Sequence, residues 1–541
     1  MDSNRITIAG IKTLEFVSQY WRELQERRYP VLPDFSKITP GYLQRMLPAV
    51  APELPEELAC ILQDIREQIL PGITHWQHPN FHAYFPTACS YPAILGELIS
   101  GGLGIMGFSW IACPASTELE VVTLNWLAKA IGLPEKFLFG SNTSDCDKSG
   151  GGIIETTASI SILTIVLSVR DRAIQQITHQ EAKNGQKQIQ TKGPGCLADR
   201  MVVYISDQAH SSIIRAIRLA LIQCRVIPSI ARDKQLLFCA QKLQDAITED
   251  RQNGFIPILA SFSASLLCTD LNESLQMFKN DSCISVSQHW AQQPLVSSMT
   301  WIPSEKFVSY VVNFVITSDS QTERIWLHVD AAYAAAALLC PEFRHFSKGI
   351  ELSDSFCFNP HKLMMVNFDC SVLWVSDFSL LTETLSDDAI YLQNTFHGMP
   401  DYKNWSLSLG RRFRSLKLWF VLRMVGLEEL RGRVREHASL GKFFEKLMLE
   451  DGRFDIVNKV QFGLVCFKLK HGDQVTRELH EELLRERNVY LVPGSTSGKM
   501  SQSDSDYFIR FVCNHQAKRA DVIRAASVIS EAASRILQHQ H

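Results

Sequence analysis

The sequence has no C-x-x-C pair, no excess of either charge and no fixed-period repeat. Each absence removes a class of protein. Without paired C-x-x-C ligands, zinc ribbons and thioredoxin-type redox centres fall away, no metal site is expected, and the 14 cysteines read as free, mostly buried thiols. The glycines Gly102, Gly104 and Gly107 have G-x-G-x-x-G spacing but follow no strand-like run, so a nicotinamide enzyme is disfavoured. Lys plus Arg number 54 against 57 Asp plus Glu, a net charge of −3, which argues against a nucleic acid or an anionic membrane surface as partner. Crossing a bilayer takes a run of about 18 apolar residues or more, and no such run is present. The opening MDSNRITIAGIKTLEFVSQYW lacks a signal-peptide core. Solenoids and propellers go with the missing repeat. What remains, at 541 residues, 46% hydrophobic and 21% charged, is a cytoplasmic, enzyme-sized globular protein.

Up to about Pro71 the chain reads as helices broken by proline-rich turns, with Phe16, Tyr20, Trp21 and Leu24 on one apolar face suited to a partner chain. Thr117 to Glu120 fits a capping box, followed by an apolar stripe of Leu119, Val122, Trp126 and Leu127 and a stop at Gly132 and Pro134. The run Gly150-Gly151-Gly152 reads as a loop before another helical segment. Short apolar runs then punctuate the chain: MVVYIS from Met201, IPILASF from Ile256, IWLHV from Ile325, SFCF from Ser355 and SVLWVS from Ser371. Runs of this length between helical patterns predict a mainly parallel sheet covered on both faces. From about Gly426, helical patterns alternate with the strand-like GLVCFKL and YFIRFV, predicting a small α+β C-terminal domain.

In an open α/β sheet, ligands bind beyond the carboxyl ends of the strands. Polar residues follow three of these runs: Asp207 and His210, Asp330, and Lys362. A lone Asp there more often caps a turn, and a lone Lys is more often solvated. Together, an acid and an amine on neighbouring strands can grip one heteroaromatic cofactor.

The strings FNPHK and NFDCS, preceded by WLHVDAAYA and SDQAHSS, resemble the pyridoxal-phosphate-dependent decarboxylases of the aromatic-L-amino-acid decarboxylase group. THWQHPNFHAYFPT, GFSW with PASTELE, GGGII, CPEFRHF and LGRRFRSLKLWFVLRM support the resemblance in the same order. It implies a large, mainly parallel α/β domain of the aspartate-aminotransferase-like fold type I at 86–425, an N-terminal helical segment at 1–85, a small α+β domain at 426–541, and a homodimer.

The resemblance also implies roles. Lys362 would bind the aldehyde of pyridoxal 5′-phosphate, Asp330 would pair with its pyridine nitrogen, and His210 would stack over the ring. Thr157, Ala158 and Ser159, at a helix start, would hold the phosphate, helped by Asn359, with Ser263 also near the cofactor. Tyr391, on a lid running through Asn394 to Pro400, would protonate the carbon that loses CO2. Trp76, Tyr84, Phe85, Pro86, Thr87, Phe108, His210 and Gly410 would meet the substrate, and the aromatic walls suit an aromatic side chain.

The expected reaction is decarboxylation of an aromatic L-amino acid (DOPA, 5-hydroxytryptophan or tyrosine-like) to its amine. An aldehyde synthase is the first alternative; such relatives tend to replace the stacking His or the loop Tyr, and here both His210 and Tyr391 stand. Histidine decarboxylation is another, disfavoured by Gly410, His361 and FSW, where those enzymes tend to carry Ser, Ser and FTW. The run Arg411, Arg412, Arg414, Lys417 fits a solvated helix face equally well.

The sequence departs from the family at Thr156, Ile160 and Leu363, and above all over 264–324. That stretch reads as a surface insertion or as retained intron, the second giving a catalytically impaired homologue.

Overall fold

The computed structural model describes residues 3–140, 150–184, 193, 195–232, 234–263, 325–387, 389–392, 398–495 and 507–538. The segment 264–324 lies outside the described residues, as does most of the expected lid. The chain divides into two compact units: Cys89–Arg435, and Met1–Ala88 together with Glu436–His541.

In the first unit the strands are β1 (Gly151–Glu155), β2 (Met201–Ser206), β3 (Gln223–Ile227), a small hairpin of β4 (Ile230–Arg232) and β5 (Gln235–Leu237), β6 (Ile256–Ser263), β7 (Trp326–Asp330), β8 (Ser355–Phe358) and β9 (Ser371–Val375). Seven form one sheet in the order β1-β9-β8-β7-β6-β2-β3. β3, β2, β6, β7 and β8 run parallel, and β9 is antiparallel to both β8 and β1. The carboxyl ends of β1, β2, β6, β7 and β8 therefore share one edge.

Burial on both faces explains the unbroken apolar runs. On β2, Met201, Val203 and Ile205 pack with Ile162, Ile165, Val166 and Val169 of the helix Ala158–Lys183. Val202 and Tyr204 face the other way, onto Leu243, Ala246 and Ile247 of the helix Ala240–Gln252. The expected mainly parallel α/β fold is what forms.

Three local expectations change. The glycine run is not a loop, because Gly151 and Gly152 belong to β1. A Cβ on Gly150 would sit 1.8 Å from the Lys136 carbonyl oxygen, and one on Gly152 would sit 2.7 Å from Trp374 Nε1, so close packing and not flexibility requires glycine there. The capping box at Thr117–Glu120 is absent, since the helix Pro114–Ile131 starts earlier, at a proline. Its buried side carries Thr123, Leu124, Leu127 and Ile131, while Val122 and Trp126 are exposed; Gly132 does end it, at φ +74°. Arg411 and Lys417 are 3% and 2% exposed and so are not solvated. Burial without a partner would be prohibitive for such charges; Arg411 Nη2 lies 2.6 Å from Glu120, and Lys417 Nζ lies 2.6 Å from Glu97.

The second unit holds the helix Ser3–Gln25 and an antiparallel sheet of β10 (Phe454–Ile456), β11 (Leu464–Leu469), β12 (Val492–Ser495) and β13 (Tyr507–Val512), in the order β10-β11-β13-β12. Its core stacks Phe444 on Phe511, with ring centroids 3.7 Å apart and planes 5° from parallel. Phe16 and Tyr20 are half-buried and Leu24 fully buried, in keeping with the expected apolar face. Among the described residues no helix is long and apolar enough to cross a membrane, and no group of acidic, His and Cys side chains is arranged to hold a metal.

Candidate active site

The carboxyl edge of the seven-stranded sheet carries the cofactor candidates of the first unit at its strand ends. Asp330 ends β7 and Lys362 lies just past β8, in the short helical turn Pro360–Leu363. Backbone bonds tie these two strand ends together: Ala331 N–H donates to the Cys357 carbonyl at 3.0 Å, and Asn359 N–H donates to the Ala332 carbonyl at 3.1 Å. Asp330 is 5% exposed. Its Oδ1 accepts from Ala332 N–H at 3.0 Å and from the Cys357 thiol at 3.4 Å. Among the described residues the hydrogen bonds to Asp330 all fall on Oδ1, and the buried Oδ1 of Asn359 lacks a partner. Ser263 ends β6 in register with Asp330.

At the far side of the same edge, Thr157 caps the helix Ala158–Lys183, its side chain accepting from Ile160 N–H at 3.4 Å. The amides of Ala158 and Ser159 precede the first intrahelical bonds and are free to meet an anion, favoured there by the helix dipole. Beyond β2, His210 caps the helix Ser211–Leu219 through Nδ1, which accepts from Ser212 N–H at 3.2 Å. His210 itself is exposed.

Polar groups that periodicity did not disclose lie behind this edge. Glu155, 3% exposed at the end of β1, accepts from Ser406 Oγ at 3.2 Å, and its Oε1 has no partner. Burial holds its carboxyl above the usual carboxylate range, against the pull of Arg411. Glu120 accepts from Ile154 N–H at 2.8 Å and pairs with Arg411. His328, on the same face as Asp330, has Nδ1 2.8 Å from Ser355 Oγ, and burial lowers its pKa to about 4. Reading WLHVD against SFCF as neighbouring strands would have paired His328 with Ser355 and Asp330 with Cys357. Single-strand patterns do not contain that register.

The substrate-side candidates divide between the units. In the first, Phe108 is half-buried, its carbonyl accepting from Lys403 N–H at 2.8 Å, and Gly410 is exposed, with room for a Cβ. In the second, Trp76 stacks on Tyr84 at 5.5 Å, and Tyr84 Oη meets Tyr490 Oη at 2.9 Å. There Phe85 lies under the Arg510 guanidinium at 5.1 Å, Pro86 is buried, and the Thr87 carbonyl accepts from Gln77 at 2.8 Å. Tyr391 sits in the turn Ile390–Leu392. The expected lid lies outside the described residues up to Gly398, which has φ +96°.

A half-buried amine, a buried carboxylate hydrogen-bonded through Oδ1, an orphaned amide oxygen and a capped helix N-terminus on one sheet edge suit the aldehyde, pyridine nitrogen and phosphate of pyridoxal 5′-phosphate. Fold and edge together define the pyridoxal-phosphate class of α/β enzymes. Within that class the chain belongs to the pyridoxal-dependent decarboxylase family, whose conserved domain matches residues 40–470. It is 37% identical to the aromatic-L-amino-acid decarboxylase of Sus scrofa, over 99% of this chain and 98% of that one. It also superposes on the Catharanthus roseus tryptophan decarboxylase, solved with L-tryptophan (TM-score 0.79), and on the Rhodiola rosea 4-hydroxyphenylacetaldehyde synthase (TM-score 0.78). Each of these is 30% identical and covered over 99% of both chains.

Proposed function

We propose that the protein is a pyridoxal-phosphate-dependent decarboxylase that converts an aromatic L-amino acid into its amine and CO2, as a homodimer in the cytoplasm. The observation that carries this reading is the hydrogen-bonded pairing of the β7 and β8 ends, which sets Asp330 and Lys362 at one sheet edge. When bound, the cofactor supplies an electron sink for the charge left by departing CO2. Lys362 would hold the cofactor through Nζ. Asp330 holds a proton at the ring nitrogen through Oδ2. Thr157, Ala158 and Ser159 hold the phosphate with backbone and hydroxyl donors, Asn359 steadies it, and Ser263 stands beside the cofactor. His210 lies against the ring and orients the substrate carboxylate. Tyr391 delivers the proton that completes the amine.

The superpositions do not separate amine from aldehyde chemistry, since the decarboxylase and the synthase fit almost equally well. The retained His210 and Tyr391 favour the amine, since a proton donor at Tyr391 would protonate the carbon that loses CO2 before oxygen could react there. Aromatic residues such as Trp76, Tyr84, Phe85 and Phe108 suit an aromatic side chain, and Gly410, His361 and the FSW string favour a substrate of the DOPA or 5-hydroxytryptophan type over histidine. The test is a panel of DOPA, 5-hydroxytryptophan, tyrosine, tryptophan and histidine, with amine, CO2 and hydrogen peroxide read together. Stoichiometric amine and CO2 without peroxide is expected. Peroxide with ammonia would assign the synthase reaction, and a folded chain that turns over nothing would overturn the proposal.

A further inference from the structure

We propose that Cys357 is a positioning residue for the cofactor: its thiol holds Oδ1 of Asp330, leaving Oδ2 for the pyridine nitrogen. The inference rests on the reading of Asp330 given above and adds a residue to it.

In the parallel pairing of β7 with β8, Asp330 stands opposite Cys357. Side chains on paired residues of one face meet directly, and here Sγ lies 3.4 Å from Oδ1. The same oxygen takes the Ala332 amide at 3.0 Å, so both of the carboxylate's described bonds fall on one side. One rung below, Ser355 Oγ accepts from Trp326 Nε1–H at 2.8 Å and sits 2.8 Å from His328 Nδ1, so the face behind the carboxylate is fixed by a second side-chain contact. Cys357 is fully buried, and burial together with the Asp330 charge pushes its thiol well above the ordinary range, so it stays protonated and can only donate. The Lys362 ammonium pulls in the opposite direction, which places the amine within electrostatic reach of the same sulfur. A thiol is a weak donor. It therefore orients the carboxylate while leaving it basic enough to keep a proton on the ring nitrogen.

The test compares Cys357→Ala, which removes the donor, with Cys357→Ser, which keeps one. Binding of pyridoxal 5′-phosphate is measured by absorbance titration, beside the pH dependence of the bound absorption and the melting temperature of the apo chain. Loss of one such hydrogen bond corresponds to roughly a two- to tenfold weaker affinity. That loss, with a shifted pH profile, is expected for Cys357→Ala, with affinity within about twofold of the original in Cys357→Ser. Equal affinity in Cys357→Ala would overturn the inference, as would equal weakening in both variants in step with their apo melting temperatures. An unsubstituted chain that binds no pyridoxal 5′-phosphate would overturn the reading of Asp330 itself.

Discussion

In the seven-stranded sheet the polar side chains of interest lie beyond strand ends: Thr157 after β1, His210 after β2, Asp330 at the end of β7 and Lys362 after β8. In the four-stranded sheet, buried polar groups close interior bonds instead. Asn458 accepts from Cys466 N–H at 2.7 Å, Thr476 Oγ1 accepts from Leu469 N–H at 3.1 Å, and His480 meets Tyr507 Oη at 2.9 Å. Parallel strands all finish at one edge and leave it to loops, whereas antiparallel neighbours fold back on each other. The first arrangement gathers polar side chains at one edge; the second ties these three into its interior.

Substitutions test that contrast, and the largest effect is expected at the sheet edge. Lys362→Ala should lower turnover by more than about a thousandfold, with the melting temperature of the apo chain nearly unchanged; a surviving rate would remove the edge's claim to the chemistry. In the antiparallel sheet the effect should be on stability. Phe444→Ala removes a fully buried ring stacked on Phe511 and should cost ~3–5 kcal/mol in urea unfolding. A change in cofactor affinity without that loss would blur the division.

Acid should separate the two units. Burial lowers His75 and His78 to about 4, and His82 and His437 to about 3, with His480 also lowered, all in the unit of the four-stranded sheet. Because their folded values lie below the ordinary histidine value of about 6.5, the stability they confer is complete above that pH and is lost as pH falls toward 4 and 3. In the other unit, burial lowers His328 and His361, each to about 4. Hydrogen exchange between pH 7 and 4 should show the helix Arg519–Gln538 losing protection before the helix Ala158–Lys183. Simultaneous loss would contradict the assignment.

The smallest effect is expected at Glu155. Its raised folded pKa means that its contribution is full at low pH and is lost as pH rises through that value. Glu155→Gln, which keeps the neutral shape, should melt slightly higher than the original at neutral pH and converge with it near pH 4. An equal offset at both pH values would show that charge is not the cause.

Much of the larger sheet was legible because strands buried on two faces must be apolar throughout, as MVVYIS and SVLWVS are. β1 was not, because three glycines signal a loop unless one knows that Trp374 and the Lys136 carbonyl crowd them. β3, QCRVI, was hidden by its largely exposed edge position. Lys362, Asp330 and His210 stood out through the order of their sequence blocks. Cys357 and Glu155 did not, since what each touches depends on strand register and on residues far away in sequence. The same holds for the bridge between Phe81 and Tyr490, and for the Asn80 side-chain amide donating to the Asn488 carbonyl at 2.8 Å.

That last pair joins the beginning of the chain to its end. During synthesis, the segment Met1–Ala88 emerges before Cys89–Arg435 but must wait for Glu436–His541 before its partners exist. The unit between them, Cys89–Arg435, has all its strands available earlier and can collapse while translation continues. A chain released only as far as Arg435 would thus hold its larger sheet formed and the helix Ser3–Gln25 still without a home, a state in which apolar residues such as Phe81 stand open to chaperones.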